Sequence, residues 1–180
     1  MIYIIQYTIS IIMNGNQKKI ALVADWITHW GGAERVFVKL MEMYPEAEIF
    51  TLFYTPGKLN SRIEGRPIHT SFLNQIPGAA KRYRYLLPLF PMAIERFDLR
   101  KFDLVISTSH CVAKGVIPSP TALHISYCFT PMRYAWDGYR NYFSKSWLEP
   151  LIYPFLHYLR IWDVTSSARV DHFVTLSNYV

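Results

Sequence analysis

Residues 19–54 read KIALVADWITHWGGAERVFVKLMEMYPEAEIFTLFY, and their pattern indicates the fold class of the chain. The short apolar run 19–24 is typical of a strand that is buried on both faces of a parallel sheet. Apolar residues then recur at helical spacing from Ala33 to Pro45, which ends the helix, and residues 48–54 form a second apolar run. The order strand, loop, helix, strand predicts an α/β domain with a Rossmann-like parallel sheet flanked by helices.

The rest of the chain continues this alternation of strands and helices. Further strands are predicted at residues 68–73, 102–107, 122–128 and 172–176. Residues 79–97 form a basic, aromatic helical region that Pro88 and Pro91 divide into two short helices. Residues 148–159 carry a helical apolar stripe, with a kink expected at Pro154. Because parallel strands end at one edge of the sheet, we expect the loops after them to bind ligands there.

The composition is typical of one globular domain, and the charge balance favours an anionic partner. The chain has 180 residues, of which 51% are hydrophobic and 18% charged, and this balance excludes an intrinsically disordered chain. The formal net charge of +6 favours anionic partners, and the basic excess is concentrated in residues 81–101. Cys111 and Cys128 each adjoin an apolar run and are interpreted as small buried thiols, which indicates a reducing, cytosolic compartment.

Residues 1–18 precede the first predicted strand and form an N-terminal extension. They are apolar up to Met13, but they lack the basic region and cleavage site of a signal peptide and are too short to span a bilayer. Residues 1–12 either result from translation at an upstream start codon or form an extra edge strand. The native start of the protein is therefore left open.

Gly31 and Gly32 lie between a predicted buried strand and the first turn of a helix. Bare backbone there can approach a ligand closely, and N–H groups at a helix N-terminus face an anion, so a diphosphate fits. A tight turn without a ligand is an equally good interpretation of one pair of glycines. The motif G-x-G-x-x-G is absent, and residues 48–54 end without the acid that would hold a ribose. This pattern argues against an NAD-dependent dehydrogenase.

His110 follows the predicted strand 102–107 at the same sheet edge as the two glycines. An imidazole can hydrogen-bond a sugar hydroxyl or a reacting carbonyl, although a histidine at a strand end is more often structural. The other five histidines show no paired metal-ligand spacing, and the chain has no Asp-x-Asp motif that would chelate a metal-bound nucleotide sugar. We therefore predict neither a metal nor a cofactor.

Residues 130–137 read TPMRYAWD and follow the predicted strand 122–128. Aromatic rings stack on sugars, and an arginine and a carboxylate bind hydroxyls or phosphate, so this loop is a candidate for contacting a ligand. An ion pair between Arg133 and Asp137 that only holds the loop together is the competing interpretation.

Residues 81–87 read KRYRYLL and have the composition of an interfacial membrane patch. In such a patch cations meet anionic headgroups, while leucine or tyrosine enters the acyl boundary. A solvated helix face is equally consistent with the pattern. Nucleic acid is not favoured as a partner, because no recognisable binding motif accompanies the charge.

Three motifs occur together in an order and at a spacing that resemble glycosyltransferase family 4. They are WGGAERV at residues 30–36, STSHCVAKG at residues 107–115 and YCFTPMRY at residues 127–134. The resemblance covers residues 19–180 and is strongest to mannosyltransferases of polysaccharide assembly. It implies the GT-B fold, in which two Rossmann-like domains face each other across a cleft, and retaining transfer without a required metal. Related sequences usually have histidine at the position of Phe129, so no polar role is implied there.

The resemblance also implies roles for single residues. Gly31 and Gly32 would lie against the donor diphosphate, and His110 would contact the donor sugar near the reaction centre as the catalytic residue. The loop with Arg133, Tyr134 and Asp137 would line the acceptor side.

The region 19–180 would accordingly be the acceptor-side, N-terminal domain of such an enzyme, without the donor-binding C-terminal domain. A split gene, a frameshift or a deliberate truncation would each leave this product. The chain alone would then be inactive, because one wall of the cleft is missing.

The implied activity is transfer of a hexose, with mannose as the best candidate, from a nucleoside diphosphate sugar to a lipid-linked or polysaccharide acceptor. The anomeric configuration would be retained. The other hypothesis is a non-catalytic binding or docking subunit that joins a separately encoded donor domain. We expect the protein in the cytoplasm, peripherally bound at the inner face of the cell membrane.

Overall fold

The computed structural model of the chain describes residues 18–57, 65–136, 138 and 149–175. Within these residues a six-stranded sheet has the strand order β3-β2-β1-β4-β5-β6. The strands are β1 (Ile20–Ala24), β2 (Glu48–Thr51), β3 (Ile68–Thr70), β4 (Leu104–Ser109), β5 (Leu123–Cys128) and β6 (His172–Thr175). All neighbouring strands pair in parallel and helices flank the sheet, so the predicted fold class is confirmed.

The helices follow the predicted pattern with one difference in length. They are α1 (Gly32–Met43), α2 (Ala79–Arg82), α3 (Phe90–Glu95) and α4 (Glu149–Ser167), with 3₁₀ segments at Phe72–Gln75, Tyr83–Leu89 and Ala113–Gly115. Prolines divide the region 79–97 as expected, because Pro88 lies in the 3₁₀ segment and Pro91 in the first turn of α3. The last helix contains the predicted apolar stripe and continues beyond it to Ser167, since the buried Trp162 and Ser166 extend its packed face.

Strand β4 lies two residues later than the sequence pattern predicts. Phe102 is buried, but its backbone N–H donates to the carbonyl of Leu99 in a turn, so the strand begins only at Leu104. The later end places Ser109 in the strand and His110 directly after it. The apolar run therefore marked the buried residues correctly and the strand bounds incorrectly.

The order of the strands reverses between β1 and β4. From β1 the chain proceeds outward through β2 and β3, and it then crosses back to add β4 on the other side of β1. In open α/β sheets the crevice at such a switch point, beyond the carboxyl ends of the strands, is where ligands bind. Asp25 follows β1 and His110 follows β4, so both lie at this crevice.

Each face of the sheet is covered by a different set of helices. On one face α1 buries Phe37, Leu40 and Met41 against the strands. On the other face α3 and α4 contribute Phe90 and Leu159 to a second core. The apolar spacing of α1 and the buried strand residues thus fix the position of the helix N-terminus relative to the sheet.

Helix α4 is fastened to the turn that follows β4. Lys114 is buried, and its Nζ lies 2.9 Å from Asp163 Oδ1 and donates to the hydroxyl of Ser167 at 2.6 Å. At Gly115 a Cβ atom would lie 2.4 Å from the ring of Trp162, so only glycine lets the helix pack this closely. Packing contacts alone therefore account for Lys114 and Gly115 in the motif STSHCVAKG.

His124 is buried in β5 between two hydrogen-bond partners. Its Nδ1 lies 3.1 Å from the carbonyl oxygen of Arg169, and its Nε2 lies 3.0 Å from the hydroxyl of Ser107. A carbonyl only accepts, so Nδ1 carries the proton and Nε2 accepts from Ser107. Burial lowers the pKa of His124 to about 4 from an ordinary 6.5. The Ser107 and His124 pair is therefore a neutral structural contact, closed to substrate.

The depressed pKa of His124 makes stability depend on pH. Between pH 6.5 and pH 4 the unfolded chain binds a proton at His124 that the folded chain does not, so stability is full above pH 6.5 and falls as the pH drops toward 4. The shift corresponds to about 3 kcal/mol in the free energy of unfolding. Urea unfolding at pH 7 and pH 4.5 should show this loss in the parent chain. A His124→Gln variant should show a smaller loss over the same interval, and an identical loss would contradict the assignment.

Candidate functional site

Asp25 is the buried centre of the crevice between β1 and β4. It is 1% exposed, and its carboxylate accepts the backbone N–H groups of four consecutive residues. Oδ2 accepts from His110 at 2.7 Å and Cys111 at 3.0 Å, while Oδ1 accepts from Val112 and Ala113 at 2.6 Å each. The turn after β4 is thus wrapped around one carboxylate that β1 supplies, and buried N–H groups that would otherwise lack partners are satisfied.

The ring of His110 is held by two neighbours. Its Nδ1 lies 3.0 Å from Asp25 Oδ2, and its ring meets Trp26 edge-on with the ring centroids 4.4 Å apart. The side chain is 28% exposed, so one part of the imidazole remains accessible. A histidine restrained in this way costs little entropy to order when it meets a ligand.

A cleft of about 400 Å³ opens beside His110. Its lining includes three residues that the sequence singled out, namely Gly31, Gly32 and His110. Phe129 also lines it, as an apolar wall. The structure therefore brings the two predicted donor-binding glycines and the predicted catalytic histidine into one cleft at the carboxyl edge of a parallel sheet.

The two glycines have different reasons to be glycine. A Cβ atom at Gly31 would lie 2.8 Å from Glu34 Oε2, so Gly31 makes room for a carboxylate of the same chain. A Cβ atom at Gly32 would meet no atom within 4 Å, because Gly32 begins α1 at the open side of the cleft. The space left by the missing side chain at Gly32 is therefore open to a ligand, whereas the corresponding space at Gly31 is occupied by the protein itself.

Glu34 adds a negative charge to this cleft. Its side chain is 7% exposed and lies in the first turn of α1, where a carboxylate is stabilised by the helix dipole. Its Oε1 lies 4.0 Å from Nε2 of His29, which is more than half exposed at the rim. The cleft therefore presents backbone N–H groups of the α1 N-terminus beside hydrogen-bond acceptors, a combination that suits a ligand with both an anionic group and hydroxyls.

Two of the three predicted acceptor residues, Arg133 and Tyr134, lie within the described part of the chain. Neither Arg133 nor Tyr134 is among its lining residues in the described part of the chain, and Tyr134 packs against the core. Asp137 lies outside the described residues, as does all but the last residue of the extension 1–18. The loop is fastened instead by Trp136, whose Nε1 donates to Asp163 Oδ2 at 2.8 Å.

The basic excess at residues 81–101 divides between the two edges of the sheet. Tyr83 packs against Trp26 with ring centroids 4.8 Å apart, so the neighbouring Arg82 and Arg84 lie near the crevice. By contrast, Arg96, Arg100 and Lys101 line a groove near the amino ends of β2 and β4. No helix among the described residues has the length and apolarity needed to cross a membrane.

Sequence reasoning missed Asp25, Trp26 and Glu34. Asp25 carried a usable signal, because a carboxylate directly after a buried strand lies at the ligand-binding edge of the sheet. Glu34 follows Gly31 at the spacing of a helix N-terminal acid, which suggests only a local capping role. Trp26 has the appearance of an ordinary core residue.

Comparison with family models, curated proteins and solved structures found no match to this chain.

Cys111 and Cys128 are both free and buried, as the sequence analysis predicted.

Proposed function

We propose that this chain is the acceptor-side half of a retaining GT-B glycosyltransferase. It would act on a nucleoside diphosphate hexose, with mannose as the first candidate, and a lipid-linked or polysaccharide acceptor. The observation that supports this most is the convergence of Gly32 and His110 on one cleft at the switch point of a parallel sheet. Each of the three motifs that resemble glycosyltransferase family 4 contributes a residue to the lining of this cleft, namely Gly32, His110 and Phe129.

The cleft suits a nucleotide sugar because its two sides differ in chemistry. Within the described residues no side chain caps the N-terminus of α1, so its first N–H groups are left to bind a diphosphate. His110 lines the same cleft and would meet the sugar, while Phe129 offers an apolar surface. Glu34 is buried against Gly31, which places its carboxylate poorly for covalent attack on a sugar. We therefore favour front-face attack assisted by the leaving phosphate, with the protein supplying position and electrostatic stabilisation.

Binding is tested most directly with the 180-residue chain itself. Amide signals of Gly31 and Gly32 should shift in a titration with GDP-mannose or UDP-glucose and should not shift with NAD. Shifts caused equally by NAD would favour an unrelated Rossmann-like enzyme, and no shift with any nucleotide would count against the donor site.

Activity is tested by supplying a donor-binding half in trans. Transfer of labelled mannose from GDP-mannose to a lipid extract is expected only when both halves are present, since the cleft of a GT-B enzyme lies between two domains. Robust transfer by the chain alone would overturn the domain assignment. Donor binding without transfer in the presence of a competent second half would favour the docking subunit.

Gly32→Val is expected to weaken donor use and to leave the fold intact. The new side chain would enter the open side of the cleft, where the structure has free space, and would occupy the approach to the diphosphate. The KM for the donor should rise about tenfold or more, which corresponds to about 1.4 kcal/mol. Thermal unfolding should be nearly unchanged. Gly65→Ala, also at an open position, is the control, and an unchanged donor KM in Gly32→Val would refute the assignment.

An anionic membrane surface is part of the same proposal. Arg82 and Arg84 are exposed near the crevice, Tyr85 is 84% exposed, and Leu89 and Met92 are partly exposed. Cations and exposed apolar side chains together suit the headgroup region of a bilayer. A lipid-linked acceptor would then be presented close to the cleft.

Removing charge from this surface should release the protein from anionic vesicles. Each cation near such a surface contributes about 1 kcal/mol, so replacing Lys81, Arg82 and Arg84 by Gln should weaken binding by about 100-fold at low salt. The effect should shrink as salt screens the charges. The matched control replaces Arg96, Arg100 and Lys101 by Gln, which removes the same charge from the opposite edge. Equal loss in both variants, or no salt dependence, would contradict a specific surface.

A further inference from the structure

We propose that Asp25 is a positioning residue that holds neutral His110 in the tautomer protonated at Nδ1. The nitrogen left to meet a ligand, Nε2, is then a hydrogen-bond acceptor. This inference rests on the proposed function only in identifying the group that meets Nε2 as a sugar hydroxyl.

The tautomer follows from the partners of one oxygen atom. Asp25 Oδ2 accepts the backbone N–H groups of His110 at 2.7 Å and Cys111 at 3.0 Å, and Nδ1 of His110 lies 3.0 Å from the same oxygen. A carboxylate oxygen that accepts two N–H groups has no proton to offer, and two lone pairs that face each other at 3.0 Å would repel, so the proton of neutral His110 belongs on Nδ1. Neutral histidine in water prefers the proton on Nε2, and the protein therefore reverses the ordinary preference.

Asp25 cannot turn away to release this contact. Its other oxygen accepts from Val112 and Ala113 at 2.6 Å each, and the side chain is almost completely buried. Because the backbone N–H of His110 donates to Oδ2 and its ring nitrogen lies 3.0 Å from the same oxygen, the ring is restrained relative to its own main chain. Trp26 bounds the ring from another side. The arrangement is preorganised before any ligand arrives.

The fixed tautomer restricts what the cleft can recognise. With Nε2 as an acceptor, His110 offers the cleft an acceptor, while the N-terminus of α1 offers N–H donors. A ligand that fits must donate on one side and carry negative charge on the other. A sugar attached to a phosphate meets this requirement, whereas a ligand that offers only acceptors does not.

The tautomer can be measured in the complete chain by NMR of its histidine side chains. Long-range ¹H–¹⁵N correlations at a pH where His110 is neutral should show the proton on Nδ1, and His110→Ala identifies the signals by their loss. His124 is an internal reference, because its Nδ1 also donates, to the carbonyl of Arg169. Protonation of neutral His110 at Nε2 would overturn the inference without any variant.

Two variants test whether Asp25 is the cause. Asp25→Ala removes both oxygens that face Nδ1 and should move the His110 proton toward Nε2, while His124 stays unchanged. Asp163→Asn removes another buried carboxylate, one that contacts Lys114 and not His110, and should leave both histidines unchanged. An unchanged His110 tautomer in folded Asp25→Ala would overturn the role of Asp25. The tautomer measurement needs no donor substrate. An Nδ1 proton on His110 in a chain that binds no nucleotide sugar would therefore support this inference and refute the proposed function.

Discussion

The Asp25→Ala protein is expected to lose about 4 kcal/mol or more of its free energy of unfolding. Four backbone N–H groups would lose their acceptor in a site where the carboxylate is 1% exposed, and each orphaned buried donor costs roughly 1–3 kcal/mol. Some of this cost would be recovered where water enters the cavity. Urea unfolding followed by circular dichroism measures the difference.

The control for this loss is an exposed carboxylate with a similar contact. Asp103 accepts the backbone N–H of Lys19 at 2.9 Å in an exposed position, so Asp103→Ala should cost less than about 1 kcal/mol. If Asp25→Ala does not fold at all, Asp25→Asn retains one acceptor oxygen and should show an intermediate loss. A loss as small as that of the control would show that the four bonds contribute little.

The fold was predictable because the strands that form its centre are buried on both faces. In β1 and β4 apolar runs directly reflect burial, and the helical spacing in residues 33–44 fixes α1. The bounds were less predictable, as β4 shows. Phe102 is buried by a turn rather than by the sheet, and hydrophobicity alone cannot distinguish the two kinds of burial.

The residues of the candidate cleft were predictable where they adjoin the end of a strand or helix, and not where they depend on long-range contacts. Gly31, Gly32 and His110 each adjoin a strand or helix end, so topology alone brings them to one edge. Asp25 acts through residues 85 or more positions away, and no local pattern records that contact. The difference between the surroundings of Gly31 and Gly32 also becomes apparent only when the position of Glu34 is known.

His110→Ala is expected to lower kcat by about 100- to 1,000-fold in the enzyme reconstituted with a donor-binding half. This range is typical of removing one preorganised hydrogen-bonding group from a reaction centre. The KM for the nucleotide sugar should change much less, because the backbone N–H groups of α1 and the second domain would still bind the diphosphate.

The fold should tolerate this substitution, which separates a catalytic loss from a structural one. Alanine keeps the backbone N–H that donates to Asp25 Oδ2 and loses only the ring contacts to Asp25 and Trp26. His29 lines the same cleft but is mostly exposed and has no contact with Asp25, so His29→Ala is the matched control and should retain most of the activity. Full activity in His110→Ala at equal thermal stability would show that His110 serves only to pack against Trp26. An equal fall in kcat in His110→Ala and His29→Ala would instead indicate a general electrostatic effect of the rim. The two imidazoles would then contribute equally, although only His110 is restrained by Asp25 and Trp26.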